Sequence, residues 1–228
     1  MSALDFDKVF RGTPPVRDSV YLLRQKVGFN KLHWLPQLPD PAFWPPELET
    51  GTVDRRTVFQ IARRADDELG AVHTLVAASV WASGPKQRGA VKLGMVFGHN
   101  PDTVGPNLAA AVRATREDGP ITGFAMLTRK GSHALARLPG SGFTKVLYFA
   151  AFDGKKGPLI LDEHVVIAMN ALRGSDWGMD GPWSPEQYGD YLGYAAEWAE
   201  RWRKGTATDL VERTLSAAGQ ALGSHYTR

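Results

Sequence analysis

The chain has 228 residues, 43% of them hydrophobic and 22% charged, which is enough apolar mass for a full core and excludes an intrinsically disordered chain. With no cysteine, it cannot form disulfides, hold an iron–sulfur cluster or use a cysteine nucleophile. A net charge of +3 suits a polyanionic partner without demanding one.

The N-terminal MSALDFDKVFRG lacks the apolar core of a signal peptide, and no run approaches ~18 consecutive apolar residues, so neither export nor a membrane span is expected. Asp18 is placed to cap a helix over Ser19–Val27 that Gly28 stops. From His33 to Gly51 repeated prolines forbid regular helix, and Trp34, Phe43 and Trp44 are expected to pin this stretch to the body. Asp54 to Ser83 is the longest helical pattern, with Val58, Ile61, Ala65, Leu69, Val72 and Val76 at spacings of three and four, and Gly70 as a point where it bends or splits. Arg55, Arg56, Arg63 and Arg64 near Asp66, Asp67 and Glu68 read as a solvated helix face. Gly84 to Gly105 is punctuated by glycine and proline and reads mostly as loop, with a short apolar run at Val91–Phe97. Asn107 is placed to cap a helix through about Glu117, and Ile121–Thr128 and Ser132–Leu138 read as further helical pieces. Ser184-Pro185-Glu186-Gln187 is a capping box with proline at the first helical position, starting a helix to about Lys204 that Gly205 ends. Trp198 and Trp202, at i and i+4 there, read as core packing. Asp209 to Glu212 opens a last helix through about Leu222. The pattern predicts a mainly α fold in a single domain, residues 1–228.

The chemistry concentrates in residues 132–174, above all in LARLPGSGFTKVLYFAAFDGKKGPLILDEHVVIAMNALRG. A short helix is expected to end at Leu138, and Pro139, Gly140 and Gly142 force a tight turn. A buried helix is then expected to begin near Phe143 or Thr144, with Lys145 in its first turn. A helix start disfavours a cation and so lowers an amine's pKa, and a neutral lysine is a nucleophile. The backbone N–H groups of the same turn make a site for a phosphate. Asp162 precedes a helix from Glu163 to about Leu172 and reads as its N-cap, which would hold the carboxylate fixed. Lys155 and Lys156 read as a solvated turn. The histidines have no ligand spacing, so neither a metal nor a cofactor is expected.

LPGSGFTKVLYFA followed by LILDEHVV resembles the helix-hairpin-helix DNA glycosylases, which carry an L-P-G-x-G hairpin, a lysine, and D-x-H about eighteen residues later. The Thr144-Lys145 pair and the lack of cysteine look most like the 8-oxoguanine DNA glycosylase branch, and like compact bacterial proteins of that fold. The hairpin here carries one residue more than the usual form. The resemblance implies a mainly helical glycosylase-like fold with a cleft between two helical lobes. It implies that Lys145 is the catalytic nucleophile, Asp162 its carboxylate partner, and His164 a support beside Asp162. It further implies that Gly140, Gly142 and Thr144 hold a DNA phosphate. Phe149, Trp177 and Trp183 are candidates for the wall of a pocket for a flipped-out base. The implied activity is that of a bifunctional DNA N-glycosylase and abasic-site lyase. It would excise an oxidised purine such as 8-oxoguanine in base excision repair, through a lysine Schiff base. The implied partner is double-stranded DNA with a damaged or modified base, bound by a monomer in the cytoplasm that joins the nucleoid when acting. The alternative is a non-catalytic DNA-binding or regulatory protein that keeps the hairpin, binding DNA in a salt-sensitive way without releasing a base.

Overall fold

The computed structural model describes residues 5–11, 19–84 and 88–226. These are mainly helical, with one small antiparallel pairing of β1 (Val27–Gly28) and β2 (Thr52–Val53), in which Val27 faces Val53. In chain order the helices are α1 (Phe6–Arg11), α2 (Ser19–Leu23), α3 (Lys31–Trp34), α4 (Arg55–Ala62), α5 (Glu68–Ser83), α6 (Arg88–His99), α7 (Val104–Asp118) and α8 (Pro120–Leu127). They continue as α9 (Gly140–Ala151), α10 (Glu163–Arg173), α11 (Pro185–Trp202) and α12 (Thr208–Tyr226).

The centre of the fold is α5. Every residue from Gly70 to Ala78 is buried, so this helix is apolar all round and is enclosed by α4, α6, α7 and α9. Most buried apolar side chains form one core running from Phe10 on α1 to Leu215 on α12, and Leu22, Ala207 and Leu210 form a small separate cluster. The proline-rich stretch is three short 3-10 turns fastened by Trp34, Trp44 and Leu48, all buried, with Phe43 tilted against Phe97 at 5.4 Å between ring centroids. Among the described residues no helix is long and apolar enough to cross a membrane.

Several local expectations give way to the tertiary structure. Asp18 lies outside the described residues; the helix it would cap ends at Leu23, because Val27 and Gly28 are drawn into β1. The long helical pattern is two helices. The break falls at Arg63–Asp67 rather than at Gly70, because Asp67 caps α5 by accepting the Gly70 N–H at 2.7 Å. Most of Gly84 to Gly105 is α6 and the start of α7, not loop. Ala90, Leu93, Val96 and Phe97 recur at helical spacing and pack on the core, which outweighs the ~1 kcal/mol each glycine costs. Asn107 lies inside α7 instead of capping it. Residues 132–138 are turns, not helix. Asn100 takes their backbone instead, accepting the Ala136 N–H at 2.9 Å and donating to the Ala136 carbonyl at 2.9 Å. Local chemistry held where it is self-contained: the Ser184–Gln187 capping box forms with Pro185 at the first position, and Asp162 caps α10.

The spacing between α10 and α12 is set by Gly219. A Cβ there would fall well inside the contact distance of the His164 carbonyl oxygen. This close approach packs the first turn of α10, which Asp162 caps, against the middle of α12.

Candidate active site

The hairpin differs in one consequential way from the expectation. Pro139 is the N-cap, and its carbonyl accepts from Gly142 N–H (2.8 Å) and Phe143 N–H (3.1 Å). The helix α9 therefore starts at Gly140, and Lys145 lies in its second turn, away from the exposed N–H groups. The pKa of the Lys145 amine is indeed lowered, but by burial above all, with the Arg55 charge acting in the same direction and Asp162 and Glu212 opposing. The amine donates to the Ser141 carbonyl one turn back.

Two cavities meet at this lysine. The larger, about 1220 Å³, is a groove between α5 and α6 on one side and the hairpin and residues 180–183 on the other. Its rim carries the exposed cations Arg88, Lys92, Arg129 and Arg137 against the single carboxylate Asp180. The hairpin forms part of its wall through Pro139 to Gly142. Gly140 is needed there: a Cβ would stand 2.8 Å from the Trp183 ring, which is itself fixed by an indole N–H bond of 2.7 Å to the Gly178 carbonyl. The smaller cavity, about 230 Å³, is lined by Gln25, Arg55, Trp81, Lys145, Asp162 and Glu212 among others. Lys145 and Ala82 line both.

The structure thus brings Lys145 and Asp162 to one cavity. Asp162 accepts the Val165 N–H at 3.1 Å as the N-cap of α10, so its position is set by the helix. Thr144 is fully buried, and its hydroxyl donates to the Gly140 carbonyl (2.7 Å) while accepting the Leu161 N–H (3.2 Å). A phosphate outside the hairpin does not reach it; instead it ties the lysine's helix to the segment that leads into Asp162. Trp183 lines the groove, whereas Phe149 and Trp177 line neither cavity. Phe149 is core behind Trp81, at 5.3 Å between ring centroids. Trp177 anchors its loop through two backbone bonds to the Asn170 amide, 3.1 and 2.9 Å. His164 lies outside both cavities, and its Nδ1 has no hydrogen-bond partner among the described residues.

Sequence reasoning missed a buried polar network beside the lysine. Arg55, read as part of a solvated face, is 2% exposed, unlike Arg56, Arg63 and Arg64. Its guanidinium packs 4.7 Å from the Trp81 ring centroid, donates to the Tyr148 hydroxyl (2.9 Å), and pairs with Glu212 Oε2 (3.4 Å). The Tyr148 hydroxyl donates to Asp209 Oδ2 at 3.1 Å. A signal was present for Arg55: it falls three residues before Val58, on the stripe that continues through Ile61, Ala62 and Ala65. For Glu212 only its alignment with Leu215 and Gly219 pointed inward.

Burial raises the Glu212 carboxyl from its ordinary 4.5 to about 7, with Arg55 opposing. Between those values the folded state holds a proton that the unfolded chain releases. Stability from this group is fully present below pH 4.5 and is lost as the pH rises through about 7. The loss is at most about 3 kcal/mol. Melting curves should therefore show wild type falling relative to Glu212→Gln between pH 4.5 and 7. A constant gap across that window would mean that the carboxyl titrates normally.

No curated protein and no solved structure gives a significant match to the chain. Residues 20–216, most of the chain, match the family described as "Putative 8-oxoguanine DNA glycosylase OGG-like protein", and the chain belongs to that family.

Proposed function

We propose that the protein is a bifunctional DNA glycosylase and abasic-site lyase that removes an oxidised purine, 8-oxoguanine first among them, with Lys145 as nucleophile. The observation that carries this reading is the position of Lys145. Its desolvated amine stands where a basic-rimmed groove meets a small polar cavity that also holds Asp162. A base within a duplex is out of reach of any side chain, so the nucleotide is flipped out of the stack. The groove takes duplex DNA through Arg88, Lys92, Arg129 and Arg137, and the Gly140 N–H takes a backbone phosphate, whereas the Gly142 N–H is already donated to the Pro139 carbonyl. These contacts position the substrate without reading its sequence. The protein acts on DNA as a monomeric single domain.

The neutral Lys145 Nζ attacks C1′ of the flipped deoxyribose. The bond from C1′ to the base breaks, its electron pair leaves with the base, and the base takes up a proton. Asp162 stabilises the positive charge that develops on the sugar. Loss of the amine proton and opening of the sugar ring give a Schiff base. Removal of a C2′ proton then expels the 3′ phosphate and nicks the strand. His164 steadies the start of α10 behind Asp162.

Borohydride reduction on duplex DNA containing 8-oxoguanine tests this. Wild type is expected to form a covalent protein–DNA adduct that Lys145→Gln does not form and that undamaged duplex does not give. Salt-sensitive DNA binding by wild type with no adduct and no released base would favour a binding protein that keeps the hairpin.

A further inference from the structure

A nucleotide attacked at C1′ has its phosphates on one side of that carbon and its base on the other. Lys145 and Ala82 are the residues common to both cavities. The basic rim and the hairpin N–H groups assign the phosphates to the groove, which leaves the smaller cavity to the base. At about 230 Å³ that cavity lies below the roughly 300–1,000 Å³ of drug-sized sites, the scale of a single ring system. Trp81 gives it an aromatic wall, held in place by the Arg55 guanidinium on the ring and by Phe149 at its edge.

One group in this cavity is arranged to read a base. Glu212 Oε2 is held by Arg55, and the Glu212 side chain lines the cavity. Arg55 is in turn fixed by Tyr148, and Tyr148 by Asp209, so the carboxyl is braced from α4, α9 and α12 before any substrate arrives. Above about pH 7 this carboxyl is ionised and only accepts hydrogen bonds, so its natural partner there is an edge with adjacent N–H donors. Resting on the lysine-glycosylase reading above, we propose that the smaller cavity receives the extruded base, and that Glu212 reads its edge by accepting from two neighbouring donors, such as the N1–H and 2-amino groups of a guanine-type base. An adenine-type edge presents a bare ring nitrogen at the first of these places, and its lone pair would face the carboxylate. The aromatic residues expected from sequence as pocket walls have other places: Trp183 belongs to the groove, and Phe149 and Trp177 lie outside both cavities.

The test compares three duplexes in single-turnover borohydride trapping: one with 8-oxoguanine, one with the same base lacking its 2-amino group, and one with a preformed abasic site. Wild type and Glu212→Gln are run side by side. Removing the amino group is expected to slow wild type roughly ten- to hundredfold and the variant far less. The variant is expected to lose at least tenfold more on the 8-oxoguanine duplex than on the abasic one. Equal losses on those two duplexes, or an amino-group penalty as large in the variant as in wild type, would overturn the proposal and make Glu212 a support for Lys145 alone. Wild type that traps the abasic duplex but neither base-bearing duplex would also overturn it. Failure on all three duplexes would instead remove the glycosylase reading beneath it. If Glu212→Gln melts below the assay temperature, Glu212→Asp, with its carboxylate withdrawn by one methylene, takes the same comparison with the same expectations.

Discussion

Lys145→Met is expected to yield a protein that is more stable than wild type and chemically silent. The amine is desolvated inside α9, and burial holds its pKa below the ordinary 10.5. The folded state therefore prefers the neutral amine, whereas the unfolded chain is protonated at neutral pH. Stability from this group is present above pH 10.5 and is lost as the pH falls through the folded pKa, so at pH 7 the lysine costs stability. Methionine has a similar length, no charge and no proton to lose, and its replacement of the lysine is worth about 1–3 kcal/mol. For a chain of this size that corresponds to a rise of roughly 2–4 °C in melting temperature per kcal/mol. The gap should close as the pH approaches 10.5. Activity moves the other way: loss of a nucleophile lowers turnover by a factor on the order of 10³–10⁶. Calorimetry beside borohydride trapping reads both effects. A variant less stable than wild type at pH 7 would contradict the burial of the amine. A variant that still forms an adduct would remove Lys145 from the chemistry.

The largest loss of stability is expected for Arg55→Met. Arg55 is the buried cation that pairs with Glu212 and braces Tyr148, with Asp209 beyond it. Removing one partner of such a pair leaves the other charge without compensation, at a cost of about 3–5 kcal/mol. Melting should fall by roughly 6–20 °C at pH 7.5. The deficit should shrink as the pH is lowered toward 5, because Glu212, with its carboxyl raised to about 7, then takes a proton and needs no counter-charge. Adding Glu212→Gln to Arg55→Met should restore part of the loss at pH 7.5, since both members of the pair are then gone. A loss under about 1 kcal/mol, or one that does not change with pH, would show that the network contributes little.

Part of this site is legible in the sequence. The helical class, the capping box at Ser184, the cap at Asp162 and the Pro139–Gly142 hairpin all rest on contacts between residues three or four positions apart. Short-range chemistry of that kind is written in consecutive residues, so Lys145 and Asp162 were legible as a pair of interest. Where local and long-range forces compete, the local signal was misleading. The Gly-punctuated stretch that became α6 folds because Leu93, Val96 and Phe97 find the core, and residues 132–138 stay irregular because Asn100 captures their backbone.

The rest depends on long-range packing. Arg55 and Glu212 are 157 positions apart, and either one by itself looks like an ordinary surface charge near a helix start. A charge is tolerated inside a protein only where its partner is also brought inside. That condition depends on how α4, α9 and α12 pack, which no window of consecutive residues contains. The same holds for the two cavities that meet at Lys145. Consecutive residues are enough to put Lys145 on the helix after the hairpin and Asp162 at the cap of the next helix, but not to set the turn in which Lys145 falls. Only the packing of distant helices decided that the amine is buried, what surrounds it, and where a base has room beside it.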